Sequence, residues 1–593
     1  MHARLVRLDR DYQVNADLSY AATITVDEQV VTQHGVQESE RSALTFYPNN
    51  QRLEVLEAWV DEPDGSRLTV PEQARFTRPS EAAQSAPGFT AAMTTTLLYP
   101  QVQVGSRTHV VWRLTQVTPA LLGFSTEAMP PLDEPVDEMR VRIVAPAETA
   151  LHWSARGGFA VTDRRDGDLR IIEASIAGTK AEEEERNAVD EHDFEPLFLA
   201  TSLPDLRALG AIYYRQSRDK VLVTPEIQAL AQQVADGRSG LAAARAVYDW
   251  VAGNIRYVAV YLDPNDGWVP HAAAAVLENG YGDCKDHVVL MQAMLAALGI
   301  KAEAALIEQG TRIDNLNLAV PQFNHVIAYL PDYGVFANPT NPYARFESLD
   351  RLLAGKTVVL ATEAGDLAQT PQQRPEDNDY RMVSRIVIAA DGTVAGEATI
   401  VPSANLEAAA RAAITRQTSP SEIAERLLAA TPEGGFGRFA TSDPNDLSGP
   451  FELRASWHSP HGLTFDGREA FLTVPLGPDL GPAARLRNLL SDDGPRRHRL
   501  LTSAGISTWT STLALPAGLV VARLPHDVTF ANAAGSYSAR YERTGGDVAI
   551  ARRLVIAHGL FAAGEYDDLQ ALIYAALEDT RAVLGFAREQ AAQ

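Results

Sequence analysis

Cys284 is the only cysteine in the chain, and that count limits how the chain can hold itself together. Without a second thiol there is no intrachain disulfide, and a cysteine-rich zinc site is equally ruled out. Each folded unit therefore rests on its own apolar core. The chain has 593 residues, too many for one core, so two to four packed units are expected. An apolar content of 46% against 22% charged residues can build such cores and excludes disorder as the main state. Lys and Arg number 52, Asp and Glu 76, for a formal net charge of -24. That balance argues against a nucleic-acid or anionic-membrane binder, which needs a basic footprint.

Met1 to Tyr20 holds no apolar segment between a basic start and a small-residue cleavage site, so no signal peptide is expected within this sequence. The longest apolar stretches, such as Val288 to Ile300, fall short of the roughly 18 to 20 residues a bilayer-spanning helix needs.

Residues 1–175 read as β-structure, because short alternating runs are punctuated by turn signals. In Ser19 to Thr32, Ala21, Thr23, Thr25 and Asp27 alternate with Ala22, Ile24, Val26 and Glu28, and turns are expected at Asp64-Gly65 and Gly105-Ser106. The expected architecture is an antiparallel β-sandwich. Residues 176–220 form an acidic connector with four consecutive glutamates, Glu182 to Glu185. Such a run repels itself and is expected to stay solvated. The alternative is a metal or cationic-substrate site using Asp190, His192 and Asp193, which no ligand spacing favours.

Residues 221–365 turn helical. Thr224 as N-cap, Pro225 and Glu226 start one helix, and Ala244, Val247, Val251 and Ile255 share the face of a second from Leu241 to Asn254. The loop Asp263 to His271 and a short helix from Ala272 to Glu278 precede a long helix that begins at Cys284. Val288, Met291, Leu295 and Leu298 recur along it at helical spacing, with Gly299 as its stop. Strands are expected at Ala302 to Ile307, Phe323 to Leu330 and Val335 to Asn338. Helices followed by strands make an α+β core. After a polar linker at 361–381, residues 380–593 read as a mostly-β domain with helices. Its hairpin turns at Asp391-Gly392, a capping box spans Ser419 to Glu422, a further turn falls at Asp466-Gly467, and a closing helix runs from Tyr566 to Leu584.

Cys284 stands in Tyr281-Gly282-Asp283-Cys284-Lys285-Asp286-His287, at a helix start. Free backbone N–H groups and the positive end of the helix dipole favour thiolate there, and the neighbours are polar, unlike those of a buried bystander. A nucleophilic cysteine needs a base, and the base an orienting group. His325, flanked by apolar residues in its strand, is the candidate base; Asn338 ends the next strand with a side-chain carbonyl that can fix the imidazole tautomer. Cys, His, Asn is the order of papain-like cysteine enzymes. Trp268 and His271 are oxyanion or pocket candidates beside the Cys284 N–H. Asp283 and Asp286 are expected in supporting roles, through capping and surface charge together with Lys285.

Gly282-Asp283-Cys284-Lys285-Asp286, Leu298-Gly299-Ile300, Phe323-Asn324-His325 and Asn338-Pro339-Thr340 resemble the bacterial transglutaminase-like superfamily. The narrower resemblance is to the branch with an N-terminal β-domain of unknown function. Asp17 to Tyr20, Pro63 to Gly65, Ala86 to Phe89 and Pro100 to Val102 match its front domain; Ile255 to Tyr257 and Val269 to His271 match its core. The resemblance implies the catalytic set Cys284, His325 and residue 338. One departure is Asn338, where this branch usually has Asp: an amide orients histidine but does not offset imidazolium charge. Export to the bacterial cell envelope is the family's habit and implies a periplasmic site for a mature chain; the sequence as read is equally compatible with the cytoplasm.

The expected function is cysteine-dependent acyl transfer on peptide or protein amide bonds, with hydrolysis favoured over amine transfer. The competing reading is a binding or scaffold protein with a vestigial site between flanking β-domains. With no HExxH, glycine-rich phosphate loop or dinucleotide fingerprint, no metal and no cofactor are expected.

Overall fold

The computed structural model describes residues 2–85, 90–258, 263, 265, 267–416, 419–429, 431, 433–460, 462–479, 482–490 and 494–588. The stretch Ala86 to Phe89 lies outside the described residues, as does part of the loop that opens at Asp263.

The N-terminal unit is a layered β-structure. Its large sheet runs, in spatial order, Ala160–Asp166, Leu169–Thr179, Val136–Pro146, Ala3–Val14, Tyr20–Val30, Arg107–Gln116, Gln51–Asp61 and Arg67–Thr69. Two three-stranded sheets pack on it. Phe124, Ala128, Phe198 and Ala200 meet Val141, Ile143, Ile172 and Ala174 in one core, and Leu44 and Leu97 meet Ala58, Val60 and Val110 in another. The sheet is not wholly antiparallel, because Ala3–Val14 pairs parallel with Val136–Pro146. The Asp64-Gly65 turn forms, with Gly65 at φ 86°, the left-handed region that glycine enters without strain.

The acidic connector is not free. Arg497 Nη1 donates to Glu182 at 2.6 Å and Arg497 Nε to Glu185 at 3.2 Å. Leu501 N–H donates to Asn187 O at 2.9 Å, and the Asp193 carboxylate accepts from Ile313 and Asp314 N–H. The run is a clasp onto the C-terminal unit, because a basic stretch some 300 residues away offsets its self-repulsion. His192 bridges Asp190 and Glu127 at 2.5 and 2.8 Å, and those acids push it up to about 9. Among the described residues no cluster of His, Cys, Asp and Glu is arranged to hold a metal ion. Two further elements lie in this stretch: the strand Leu197–Thr201, which pairs into the N-terminal unit, and helix α1 (Leu206–Ser217).

The core adds helices α2 (Pro225–Ala235), α3 (Gly240–Asn254), α4 (Ala273–Asn279) and α5 (Cys284–Ala297). Thr224 Oγ1 accepts from Ile227 N–H at 3.3 Å, as an N-cap should. Strands β1 (Glu303–Ile307), β2 (His325–Leu330), β3 (Val335–Ala337), β4 (Thr357–Leu360) and β5 (Leu367–Gln369) form one antiparallel sheet in the order β3-β2-β1-β4-β5. The polar stretch expected as a linker thus supplies an edge strand. Val288, Met291 and Leu295 on α5 and Val326 and Ala328 on β2 join one apolar cluster, which fixes the N-terminus of α5 against the start of β2.

The C-terminal unit carries a second eight-stranded sheet, with Asp379–Ile388 parallel to Gly505–Ala514 at its centre, and a four-stranded one. Gly392 turns the expected hairpin at φ 90°. Two expectations fail in detail. Ser419 makes no side-chain cap bond to its helix. The closing helix ends at Asp579, and Val583–Arg588 becomes a strand between Glu469–Thr473 and Leu519–Arg523; pairing on both sides overrides local helical periodicity. No helix among the described residues is long and apolar enough to cross a membrane.

Candidate active site

Cys284 is the first residue of α5 and is 1% exposed. Asp283 caps the helix: its carboxylate accepts from Asp286 N–H, and Asp286 accepts in return from Asp283 N–H, both at 3.3 Å. A Cβ on Gly282 would lie 2.6 Å from Asp286 Cβ, so only glycine fits before this turn. The helix-end argument predicts a thiolate, but the balance falls the other way. Burial, then the Asp283 carboxylate, push the thiol up to about 12, against the pull of Lys285 and the backbone N–H groups of Val326 and Lys285. The resting sulfur is a thiol, held against the backbone of β2 one residue from His325.

His325 opens β2 and is 2% exposed. Its Nε2 lies 3.1 Å from Asn338 Oδ1. Thr340 fixes the sense of that amide, because its Oγ1 at 2.7 Å and its backbone N–H at 3.5 Å both point to Oδ1, and a backbone N–H only donates. Oδ1 is therefore the acceptor, His325 Nε2 carries the proton, and Nδ1 keeps its lone pair. Tyr248 on α3 donates to Asn338 O at 3.1 Å and to Ala344 O at 2.9 Å, which anchors the asparagine from below. Burial lowers His325 to about 4, and Asn338 offsets only part of this.

This shift has a pH consequence. The folded state holds His325 neutral down to about 4, whereas the unfolded chain takes up a proton near 6.5. Between these values the unfolded state binds more protons, so the contribution is full above pH 6.5 and is lost as pH falls towards 4, about 3 kcal/mol in all. His325→Gln is expected to flatten the stability profile in that window, measured by denaturant melts at pH 4 and 7. An unchanged slope would show that the imidazole is not held neutral.

Of the other sequence candidates, Asp286 binds His271 twice, accepting from its backbone N–H at 2.8 Å and meeting its Nδ1 at 3.0 Å. This ties the loop bearing Trp268 to the start of α5 and engages His271 Nδ1 with the Asp286 carboxylate. Trp268 is 2% exposed, lies in the same apolar cluster as Cys284, and has an indole N–H with no partner among the described residues. An unsatisfied buried donor costs about 1–3 kcal/mol, which suits a group kept for a ligand oxygen.

Two residues, His287 and Tyr213, escaped the sequence reading, and Lys285 was misplaced by it. Lys285, expected at the surface, is 1% exposed and paired with Asp283. His287 is buried, its Nδ1 2.8 Å from Asp283 O and its Nε2 3.0 Å from Ile255 O. Tyr213 on α1 packs against Trp268. Only the GDCKD run itself hinted at Lys285 and His287, and nothing local marked Tyr213.

Residues 228–314 match the family model of the transglutaminase-like superfamily. Residues 16–182 match a domain of unknown function, DUF3857, and residues 482–585 another, DUF3858. The chain therefore carries a transglutaminase-like core between these two flanking domains. Among solved structures it is similar, over 99% of each chain, to a "putative protease" from Parabacteroides distasonis, at 14% identity and a TM-score of 0.72. That likeness is one of fold. An M1 zinc metallopeptidase from Deinococcus radiodurans aligns over 33% of this chain and 42% of that one, at 12% identity; its TM-score of 0.19 carries no argument. No curated protein matches the sequence. The transglutaminase-like match includes Cys284 and ends before His325 and Asn338, so their pairing is a matter of geometry.

Proposed function

We propose that the protein is a cysteine-dependent acyl-transfer enzyme acting on amide bonds of a peptide or protein. The observation that carries this reading is the His325 Nε2 bond to Asn338 Oδ1, which leaves the Nδ1 lone pair free to act as a base on a strand whose next residue, Val326, donates its backbone N–H to the Cys284 sulfur. As the sulfur attacks the carbonyl carbon, its proton passes to Nδ1, an S–C bond forms, and the carbonyl π pair moves onto oxygen. Collapse expels the amine, which takes the proton from His325 and leaves an acyl-thioester on Cys284. The pair starts neutral, so this is general-base catalysis and not attack by a preformed thiolate. Water resolves the thioester in a peptidase, a primary amine in a transglutaminase. Hydrolysis is favoured because an amine acceptor needs a site of its own.

Incubation with p-nitrophenyl acetate tests the first half-reaction. A stoichiometric burst of p-nitrophenolate and one acetyl group on Cys284 by intact mass are expected for the wild type, and neither for Cys284→Ala. Added dansylcadaverine should leave the product distribution unchanged if water is the acceptor. Equal behaviour of the two proteins would leave a vestigial site, with the flanking domains as the working parts of a binding protein.

A further inference from the structure

Tyr213 lies on α1, in the segment between the N-terminal unit and the core, yet its side chain enters the site. It is 1% exposed and stands edge-on to Trp268, with ring centroids 6.1 Å apart. Both rings belong to the apolar cluster that contains Cys284. Their polar atoms, Tyr213 Oη and Trp268 Nε1, are both buried without a hydrogen-bond partner among the described residues. After burial, the groups that act on the Tyr213 hydroxyl are Cys284, Asp283 and Asp286, all at the start of α5. Phenylalanine would fill the same space and leave no orphaned hydroxyl. Two buried, unsatisfied donors on neighbouring rings of the cluster that holds the thiol fit an acceptor that arrives only with the substrate.

We propose that the Tyr213 hydroxyl, together with the Trp268 indole N–H, donates to the acyl oxygen of the substrate while Cys284 attacks it. The inference rests on the acyl-transfer reading and adds a residue to it. Both donors keep their protons: the thiol proton goes to His325 Nδ1, the S–C bond forms, and the electron pair displaced onto oxygen is held by the two hydrogen bonds. Collapse reforms the carbonyl, breaks the bond to the leaving group and releases both donors. The donors are fixed beforehand by packing, so they need not reorganise as the charge develops.

Tyr213→Phe removes only the hydroxyl. Acetylation of Cys284 by p-nitrophenyl acetate is expected to slow by about 100-fold, in the saturating rate and not in the half-saturating concentration, with a melting temperature no lower than that of the wild type. Alkylation of Cys284 by iodoacetamide should proceed at the wild-type rate, because displacement at a saturated carbon builds no oxyanion. Trp268→Phe should show the same split. Acetylation at the wild-type rate in Tyr213→Phe overturns the inference, as does a parallel slowing of acetylation and alkylation, which would assign the hydroxyl to the thiol or to packing. Absence of acetylation in the wild type overturns the acyl-transfer reading and this inference with it, whereas normal wild-type acetylation with an unaffected variant overturns this inference alone.

Discussion

Replacing His325 by glutamine is expected to slow acetylation of Cys284 by about 10⁴-fold at pH 7. The size of the effect follows from the thiol. With its pKa pushed up to about 12, the thiol keeps its proton at pH 7, so the reaction depends on a base that removes the proton during attack. Burial keeps that base neutral and available far below physiological pH, at the cost of basicity, since a general base works best with a pKa near the working pH. Asn338→Asp probes the same point from the other side. A carboxylate at 3.1 Å from Nε2, in place of the amide oxygen, stabilises the imidazolium and raises the His325 pKa. The acid limb of the pH–rate profile is then expected to move to higher pH, since protonated His325 is no longer a base. A His325→Gln rate within tenfold of wild type, or an acid limb unmoved by Asn338→Asp, would show that this histidine does not accept the thiol proton.

The second large effect concerns the fold beneath the nucleophile. Asp283 is 0% and Lys285 1% exposed, and the two form an ion pair beside Cys284. Lys285→Met keeps most of the side-chain volume and removes the charge, which leaves the Asp283 carboxylate buried without its counter-charge. Breaking a buried pair this way costs about 3–5 kcal/mol, which for a unit of this size lowers the melting temperature by about 10 °C. Adding Asp283→Asn removes the stranded charge while keeping an acceptor for Asp286 N–H, so the double variant should recover part of the loss. Calorimetry of the single and double variants measures the coupling; a single-variant shift below about 2 °C would mean that water reaches the pair.

The elements of the core were legible because their signals are local. Thr224 and Pro225 start α2, the spacing of Val288, Met291 and Leu295 marks α5, although that helix is buried nearly all round, and Gly299 at φ 73° stops it. The alternation in Ser19 to Thr32 likewise marks Tyr20–Val30 as a strand. The failures share a cause. Val583 and Leu584 read as the end of a helix until two strands distant in sequence pair with Val583–Arg588, and in the run Glu182 to Glu185, where Glu183 and Glu184 are exposed as expected, Glu182 and Glu185 look solvated until Arg497 reaches them.

The single cysteine, its place at a helix start, and the later histidine and asparagine are properties of the sequence, and they determined which residues are the candidates. Their ionisation was decided by tertiary structure. A helix end favours thiolate in isolation, but at Cys284 the loss of solvent together with an adjacent carboxylate outweighs it, and no local pattern reports how much water a side chain loses on folding. Tyr213 is the same case in geometric form: α1 lies in a stretch that reads as a connector by sequence, and only its packing brings the Tyr213 ring against Trp268.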